Sequence, residues 1–162
     1  MAGCFASMRR RVPGSMTGTD ATSLEKAMAE ILGIGVDMVD IHRITELRQR
    51  HGERFYGLLF LPNEAEYCLS RANADECFAA RFAAKEAVMK ALGTGWAQGV
   101  AFTGIEVVRR DDGRPEIRLH GSTAERAAEM GVGKIHVSLS HARESAIAQV
   151  LIEKNPSFSG KS

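Results

Sequence analysis

The sequence predicts one globular domain that mixes helices with antiparallel hairpins, and three observations carry that prediction. Residues 78–93 repeat apolar side chains at helical spacing, with Phe78, Phe82, Met89 and Leu92 on one stripe and Gly93 as the stop. Two pairs of alternating segments, 102–109 with 116–119 and 135–141 with 146–152, are each joined by turn chemistry. The chain has 162 residues, 44% apolar and 25% charged, enough for one core and too few for two comfortable ones.

The same composition narrows the function. No apolar run approaches a membrane span. A formal net charge of +1 gives no bulk attraction to nucleic acid, so an acidic partner must be met by a local basic cluster. Cys4, Cys68 and Cys77 show neither metal-ligand spacing nor an even count, which predicts reduced thiols in the cytoplasm. Residues 1–29 are rich in Ser, Thr, Gly and Met and carry Arg9-Arg10-Arg11 without an apolar stretch behind it. They read as a flexible leader or non-native start, followed by one domain over 30–153 and a flexible tail over 154–162.

At Ile31 the pattern becomes a strand, with Leu32, Ile34 and Val36 predicted toward the core and Gly33, Gly35 and Asp37 on the opposite side. Glycines in a strand mark a close approach by backbone or ligand. Alternatively, Asp37 or Asp40 simply caps the helix that follows. Residues 41–55 read as one amphipathic helix on Ile41, Ile44, Leu47 and Phe55, with Arg43, Arg50, Arg48 and Arg54 outward. Such a basic face is either solvated or a docking surface for an acidic protein. Pro62 with Glu64 and Glu66 starts a further helix.

In the long helix, Glu86 and Lys90 sit one turn apart, and Ala79 and Ala83 beside them allow a close neighbour. A solvated Glu–Lys pair is the plain alternative. Lys85 falls within the apolar stripe and therefore needs an anion or a wet pocket. Residues 94–99 read as a loop around Trp96, a core lid. Asp111-Asp112-Gly113-Arg114-Pro115 turns the first hairpin, and Ser122 with Glu125 reads as a capping box for a helix ending at Gly131. In the second hairpin Ile135, Val137 and Leu139 point inward and His136, Ser138 and Ser140 outward, with Ser140-His141 near the tip. His141 is either structural or, beside two hydroxyls, a receiver of phosphate or ribose.

Three segments taken together, GIGVDMVDIHRI from Gly33, RFAAKEAVMKALG from Arg81 and VSLSH from Val137, resemble the holo-acyl-carrier-protein synthase family, the 4′-phosphopantetheinyl transferases of fatty-acid synthesis. The resemblance runs from Ile31 to Ile152. It implies an α+β fold, a curved antiparallel sheet packed around a long central helix, and a homotrimer with sites between subunits. It also implies transfer of 4′-phosphopantetheine from coenzyme A to a serine of an acidic apo acyl carrier protein, leaving adenosine 3′,5′-bisphosphate. By motif match Asp37 and Glu86 would hold Mg²⁺ and Lys90 would meet the phosphates. Two carboxylates suit Mg²⁺, which keeps water and substrate phosphate as its other ligands. Glu86 is the nearest base for the serine hydroxyl. Arg81 and Lys85 would take further phosphates, His141 and Arg114-Pro115 would line the nucleotide pocket, and Arg43 and Arg50 would dock the carrier. The rival reading is a non-catalytic module that binds nucleotide or carrier protein without turnover.

Overall fold

The computed structural model describes residues 30–95 and 99–158. The leader with Cys4, the loop tryptophan Trp96 and residues 159–162 lie outside the described residues, as do the expectations attached to them.

Strand β1 (Ile31–Asp40) leads into helices α1 (Ile41–His51), α2 (Glu53–Leu59), α3 (Pro62–Leu69) and the long α4 (Ala74–Leu92). A single 3₁₀ turn (Phe102–Gly104) precedes the hairpin β2 (Ile105–Arg109) and β3 (Pro115–Leu119), then α5 (Gly121–Glu129) and the hairpin β4 (Val132–Ala142) and β5 (Ser145–Lys154). The antiparallel sheet has the order β1-β5-β4, with Asp37 opposite Ala148 and Ser138 opposite Gln149; β2 and β3 pair separately. This is the α+β arrangement expected, with the sheet laid over α4.

Helix α4 is buried nearly all round. Phe78, Ala79, Ala83, Ala84, Lys85, Ala87 and Val88 are fully enclosed, and Met89 and Leu92 nearly so. One side meets an aromatic cluster in which Phe78 packs edge-on to Phe55, with ring centroids 5.8 Å apart, and against Phe60 at 5.0 Å. Truncating such a ring to alanine costs about 3–5 kcal/mol. The other side meets Ala146, Ala148, Val150 and Ile152 of β5, all fully buried.

The orientation of β1 is opposite to the expectation. Gly35 and Val39 are buried and face α4, whereas Ile34, Val36 and Met38 are 59%, 53% and 69% exposed, and Leu32 is only half-buried. A Cβ on Gly33 would stand 2.0 Å from the Ala91 carbonyl oxygen, and one on Gly35 would stand 1.9 Å from that of Ala87. The glycines exist so that strand and helix backbones can touch. The close neighbour that the glycines invited is the later part of α4, at Ala87 and Ala91 rather than at the Ala79 and Ala83 singled out from the sequence. With Ile147 of β5, 40% exposed, the outer side of the sheet carries an apolar patch.

Other local expectations also change. The single helix over 41–55 is two, because Gly52 takes φ +50° and breaks it. Asp40, not Asp37, caps α1, accepting from the amides of His42 at 2.7 Å and Arg43 at 3.2 Å. The Ser122–Glu125 capping box does not form. Helix α5 begins at Gly121, and the Ser122 hydroxyl donates instead to the Gly99 carbonyl at 2.8 Å. The chain past Glu153 is not a loose tail from the outset: β5 includes Lys154, and Asn155 donates its amide to the Gly131 carbonyl at 2.8 Å. Finally, Cys68 and Cys77 are joined by a disulfide, correcting the expectation of three reduced thiols. Pairing across two helices leaves no trace in a count of three.

Candidate functional site

The strand–helix contact places Asp37. Alternation puts it on the same side of β1 as Gly35 and Val39, facing α4, with a side chain only 15% exposed. Lys90, on α4, reaches across from a 51% exposed position; its ammonium lies 2.8 Å from Asp37 Oδ1 and 3.1 Å from the Val36 carbonyl oxygen. Glu86 is half-buried one turn before Lys90, on the same side of the helix. A strand and a helix distant in sequence thus supply one seam with Asp37, Lys90 and Glu86 along it. Asp40 is occupied in capping α1, which leaves Asp37 for the seam.

Among the described residues no group of three or more His, Cys, Asp or Glu side chains is gathered as a metal cage. Two carboxylates, Asp37 on β1 and Glu86 on α4, together with the Lys90 ammonium are a different set of groups. It suits a hard, partly hydrated cation such as Mg²⁺, which takes only one or two protein carboxylates. The residues at the seam fit that group.

The expected phosphate ligands separate. Lys85 is fully enclosed, and its ammonium donates to Glu64 Oε2 at 2.7 Å and to the Phe102 carbonyl at 3.0 Å. Burial pushes its pKa down and Glu64 pulls it back part of the way. The anion that Lys85 requires is therefore internal, and the structure does not offer this side chain to an outside phosphate. Glu64, itself 2% exposed, also accepts from the amides of Leu61 and Val107, each at 3.0 Å. That stitches α3, α4 and β2 together. Its place in the first turn after Pro62 disclosed a helix start, while its buried partner could be learned only from the fold.

Arg81 is 7% exposed and lies at the junction of two clefts. Burial lowers its pKa, opposed by Glu64 and Tyr67. Its guanidinium carbon stands 4.5 Å from the centroid of the Tyr67 ring, and its Nε is buried without a hydrogen-bond partner. One cleft, of about 320 Å³, is bordered by Tyr67, Arg71, Cys77, Arg81 and His141. His141 Nδ1 lies 3.6 Å from Glu76 Oε2, which ties the end of β4 to the start of α4. Arg81 and His141 are thus brought together. Arg114 and Pro115 border another cleft, of about 570 Å³, between β3 and β4 with Lys134 and Ser138. Within one chain the predicted nucleotide residues occupy two clefts.

Arg43 and Arg50 are exposed on α1, directly after the strand that carries Asp37. Arg48 turns inward instead. Its Nε donates to Asp75 Oδ1 at 2.6 Å, and hydrogen bonds to Tyr56 and Asp75 raise its pKa despite partial burial. Sequence reasoning passed over Tyr67 and Arg71, whose helix face gave no chemical motif, and the group that the exposed Asn63 and His120 form around the buried Glu106. There His120 Nε2 lies 2.7 Å from Glu106 Oε2, and Asn63 donates to Glu106 Oε1.

A model of the 4′-phosphopantetheinyl transferase superfamily matches residues 33–150. The holo-[acyl-carrier-protein] synthase of Koribacter versatilis is 49% identical over 123 residues, covering 76% of this chain and 98% of that protein. That of Maridesulfovibrio salexigens is 44% identical over 124 residues, covering 76% and 99%. The crystal structure of the Neisseria meningitidis holo-[acyl-carrier-protein] synthase has a TM-score of 0.72 at 33% identity, covering 76% of this chain and 99% of that one. The Bacillus anthracis holo-(acyl-carrier-protein) synthase in complex with CoA (3′,5′-ADP) has a TM-score of 0.64 at 32% identity, covering 78% and 99%.

Proposed function

Because the chain belongs to the 4′-phosphopantetheinyl transferase superfamily, we propose that it transfers 4′-phosphopantetheine from coenzyme A to a serine of apo acyl carrier protein, releasing adenosine 3′,5′-bisphosphate. The observation that carries this reading is the ion pair of Asp37 with Lys90 at 2.8 Å, with Glu86 one turn away. It joins carboxylates for a cation to a cation for phosphate in one seam. The rival reading, a module that binds without turnover, is not favoured by relatives that are themselves named synthases.

In this reading Asp37 and Glu86 hold Mg²⁺, which when bound would offset the charge of the coenzyme A pyrophosphate. Lys90 pairs with a phosphate oxygen once that substrate is seated, exchanging Asp37 for the pyrophosphate as its anion. The carrier serine oxygen forms a bond to the phosphorus that bears the pantetheine arm, and the bond to the bridging oxygen of the nucleotide phosphate breaks. Glu86 takes the serine proton. Positioning and charge complementarity are what such a transfer demands of a protein.

Arg81, His141, Arg114 and Pro115 receive the nucleotide, and their division between two clefts supports a site completed by a neighbouring copy. The exposed Ile34, Val36, Met38 and Ile147 support the same idea, since the free side of an antiparallel sheet is ordinarily polar. We therefore read the working form as a homotrimer with sites between subunits. Lys85 is left out of the phosphate set and serves Glu64 internally. Arg43 and Arg50 dock the acidic carrier. The setting is fatty-acid biosynthesis in the cytoplasm; among the described residues no helix is long and apolar enough to cross a membrane.

The test is to incubate the protein with coenzyme A, Mg²⁺ and an apo acyl carrier protein and to weigh the carrier by mass spectrometry. A gain equal to one phosphopantetheine group is expected, together with loss of the gain when Mg²⁺ is chelated. An unchanged carrier that nonetheless co-purifies with the protein would favour the binding module.

A further inference from the structure

The disulfide ties the end of α3 to the opening turns of α4 across nine positions, with Cα atoms 5.4 Å apart. Its two sulfurs differ in reach. Cys68 is fully buried, whereas Cys77 is half-buried and lines the cleft of Tyr67, Arg71, Arg81 and His141. A dissolved reagent therefore meets Cys77 first. Arg81 Nη1 donates to Cys77 Sγ at 2.9 Å. A guanidinium beside a thiol favours the thiolate, the form that reacts. The same guanidinium has a buried Nε without a partner and borders the cleft. Arg81 therefore answers to two anions, the sulfur when reduced and whatever enters the cleft.

We propose that Cys68 and Cys77 form a reversible thiol–disulfide couple, attacked first at Cys77, whose oxidation strengthens anion binding in the adjoining cleft by removing the thiolate charge that competes for Arg81, although its Nη1 stays against the bridged, neutral sulfur. The second half rests on the reading of this cleft as a phosphate subsite for coenzyme A. The oxidant is a hydroperoxide. The Cys77 thiolate attacks one peroxide oxygen, the O–O bond breaks, and the other oxygen leaves as an alcohol or water after taking a proton. This leaves Cys77 as a sulfenic acid. Cys68 sulfur then bonds to Cys77 sulfur and the sulfenic oxygen departs as water, so two electrons have passed to the peroxide. A dithiol reverses the couple by attacking the accessible Cys77 sulfur, expelling Cys68 as thiolate, and closing its own disulfide. The bridge also fixes the spacing between α3, which bears Tyr67, and α4, which bears Arg81. Both effects act in the same direction.

The experiment uses the full chain with Cys4→Ser, so that only two thiols are in play. Reduced protein is treated with hydrogen peroxide, alkylated and weighed intact. Both thiols should become protected together and return on adding a dithiol. With Cys68→Ala, Cys77 should instead be captured by a sulfenic-acid probe. Binding of adenosine 3′,5′-bisphosphate, followed by calorimetry, should be about two- to fivefold tighter in the oxidised form, the scale of a partly exposed ion pair, and indifferent to redox state in Cys77→Ser. Thiols that stay alkylatable after peroxide overturn the couple. Equal affinities in the two states overturn its link to the cleft. Failure of either form to bind the nucleotide, in protein that still modifies the carrier, refutes the subsite reading and the link with it, while the couple is judged on the mass measurements alone.

Discussion

Lys90 lies 2.8 Å from Asp37 Oδ1, although 53 positions separate them in the chain. The pair is half open to solvent on the lysine side, so in the free protein it contributes no more than about 1 kcal/mol to stability. Its value is chemical. Asp37→Asn and Glu86→Gln should each cut transfer to the carrier about 1,000-fold or more while leaving the thermal midpoint nearly unchanged. Lys90→Ala should cut it about 100-fold, the scale for removing one preorganised charge from a reacting centre. Mass spectrometry of the carrier with a parallel melting curve checks both halves. Activity that survives with either carboxylate alone would remove Asp37 and Glu86 from the site.

The glycines of β1 offer a test of how that seam is built. A methyl group on Gly35 would stand 1.9 Å from the Ala87 carbonyl oxygen, which is backbone and cannot step aside. Gly35→Ala should therefore lift the strand from α4 and destabilise the protein by about 3 kcal/mol, with activity falling because Asp37 moves with the strand. Ser in place of an exposed neighbour, Val36→Ser, should leave the isolated chain's fold intact. Denaturant titration of the two variants side by side distinguishes the packed side from the free one.

That distinction was legible in the sequence only by half. The Gly33–Gly35 spacing announced a close approach, and the approach is real. Alternation also predicted that the apolar residues face the core, because in most half-buried strands they do. Here the core side is glycine against the alanines of α4, and Ile34, Val36 and Met38 face outward. The spacing of Glu86 and Lys90 could be read directly, since it depends only on helix pitch. The pairing of Lys85 with Glu64, the turn inward of Arg48 and the joining of Cys68 to Cys77 each depend on how two helices lie together. No local pattern encodes that. The break at Gly52 was visible as a residue, yet the apolar periodicity on either side of it masked its effect.

The enclosed pair of Lys85 and Glu64 makes a prediction that separates structure from catalysis. Removing one partner leaves the other charge buried and unanswered, which costs about 3–5 kcal/mol. Lys85→Met should accordingly show a large loss of stability. Combining it with Glu64→Gln should recover part of that loss, because no buried charge is then left unanswered, and only part, because the single carbonyl oxygen of glutamine can accept from one of the Leu61 and Val107 amides that separate Glu64 oxygens now serve. In the double variant the Michaelis constant for coenzyme A should stay within about twofold of the parent at a temperature where both are folded. A large rise there, with stability restored, would return Lys85 to the phosphate set.

Glu106 sets an acid limit on the fold. Burial raises its pKa, but hydrogen bonds from Asn63 and His120 outweigh burial and hold the carboxyl below the usual 4.5. Its folded value is depressed, so its stabilisation is fully present above the unfolded value and is lost as pH falls through the folded one. The parent protein should therefore lose stability on acidification below about pH 4.5. Glu106→Gln should be less stable by about 1–2 kcal/mol at neutral pH and show a shallower decline in that acid window. Urea titrations between pH 7 and pH 3 check the sign, and parallel declines would exclude Glu106 as the group responsible.

Helix α1 begins where Asp40 ends β1, three positions beyond Asp37, so a protein that lies on α1 is brought close to the seam. Its outward cations are Arg43 and Arg50, since Arg48 is committed to Asp75. An acidic carrier would be drawn to this helix by charges that solvent screens over about 10 Å at moderate salt. Reversing both residues to Glu should raise the Michaelis constant for the carrier about tenfold or more and leave that for coenzyme A nearly unchanged. The parent should also lose carrier affinity as salt rises, whereas the doubly reversed protein should not. If both constants rise equally, α1 is not the docking surface and the loss must come from damage to the seam that follows from Asp40.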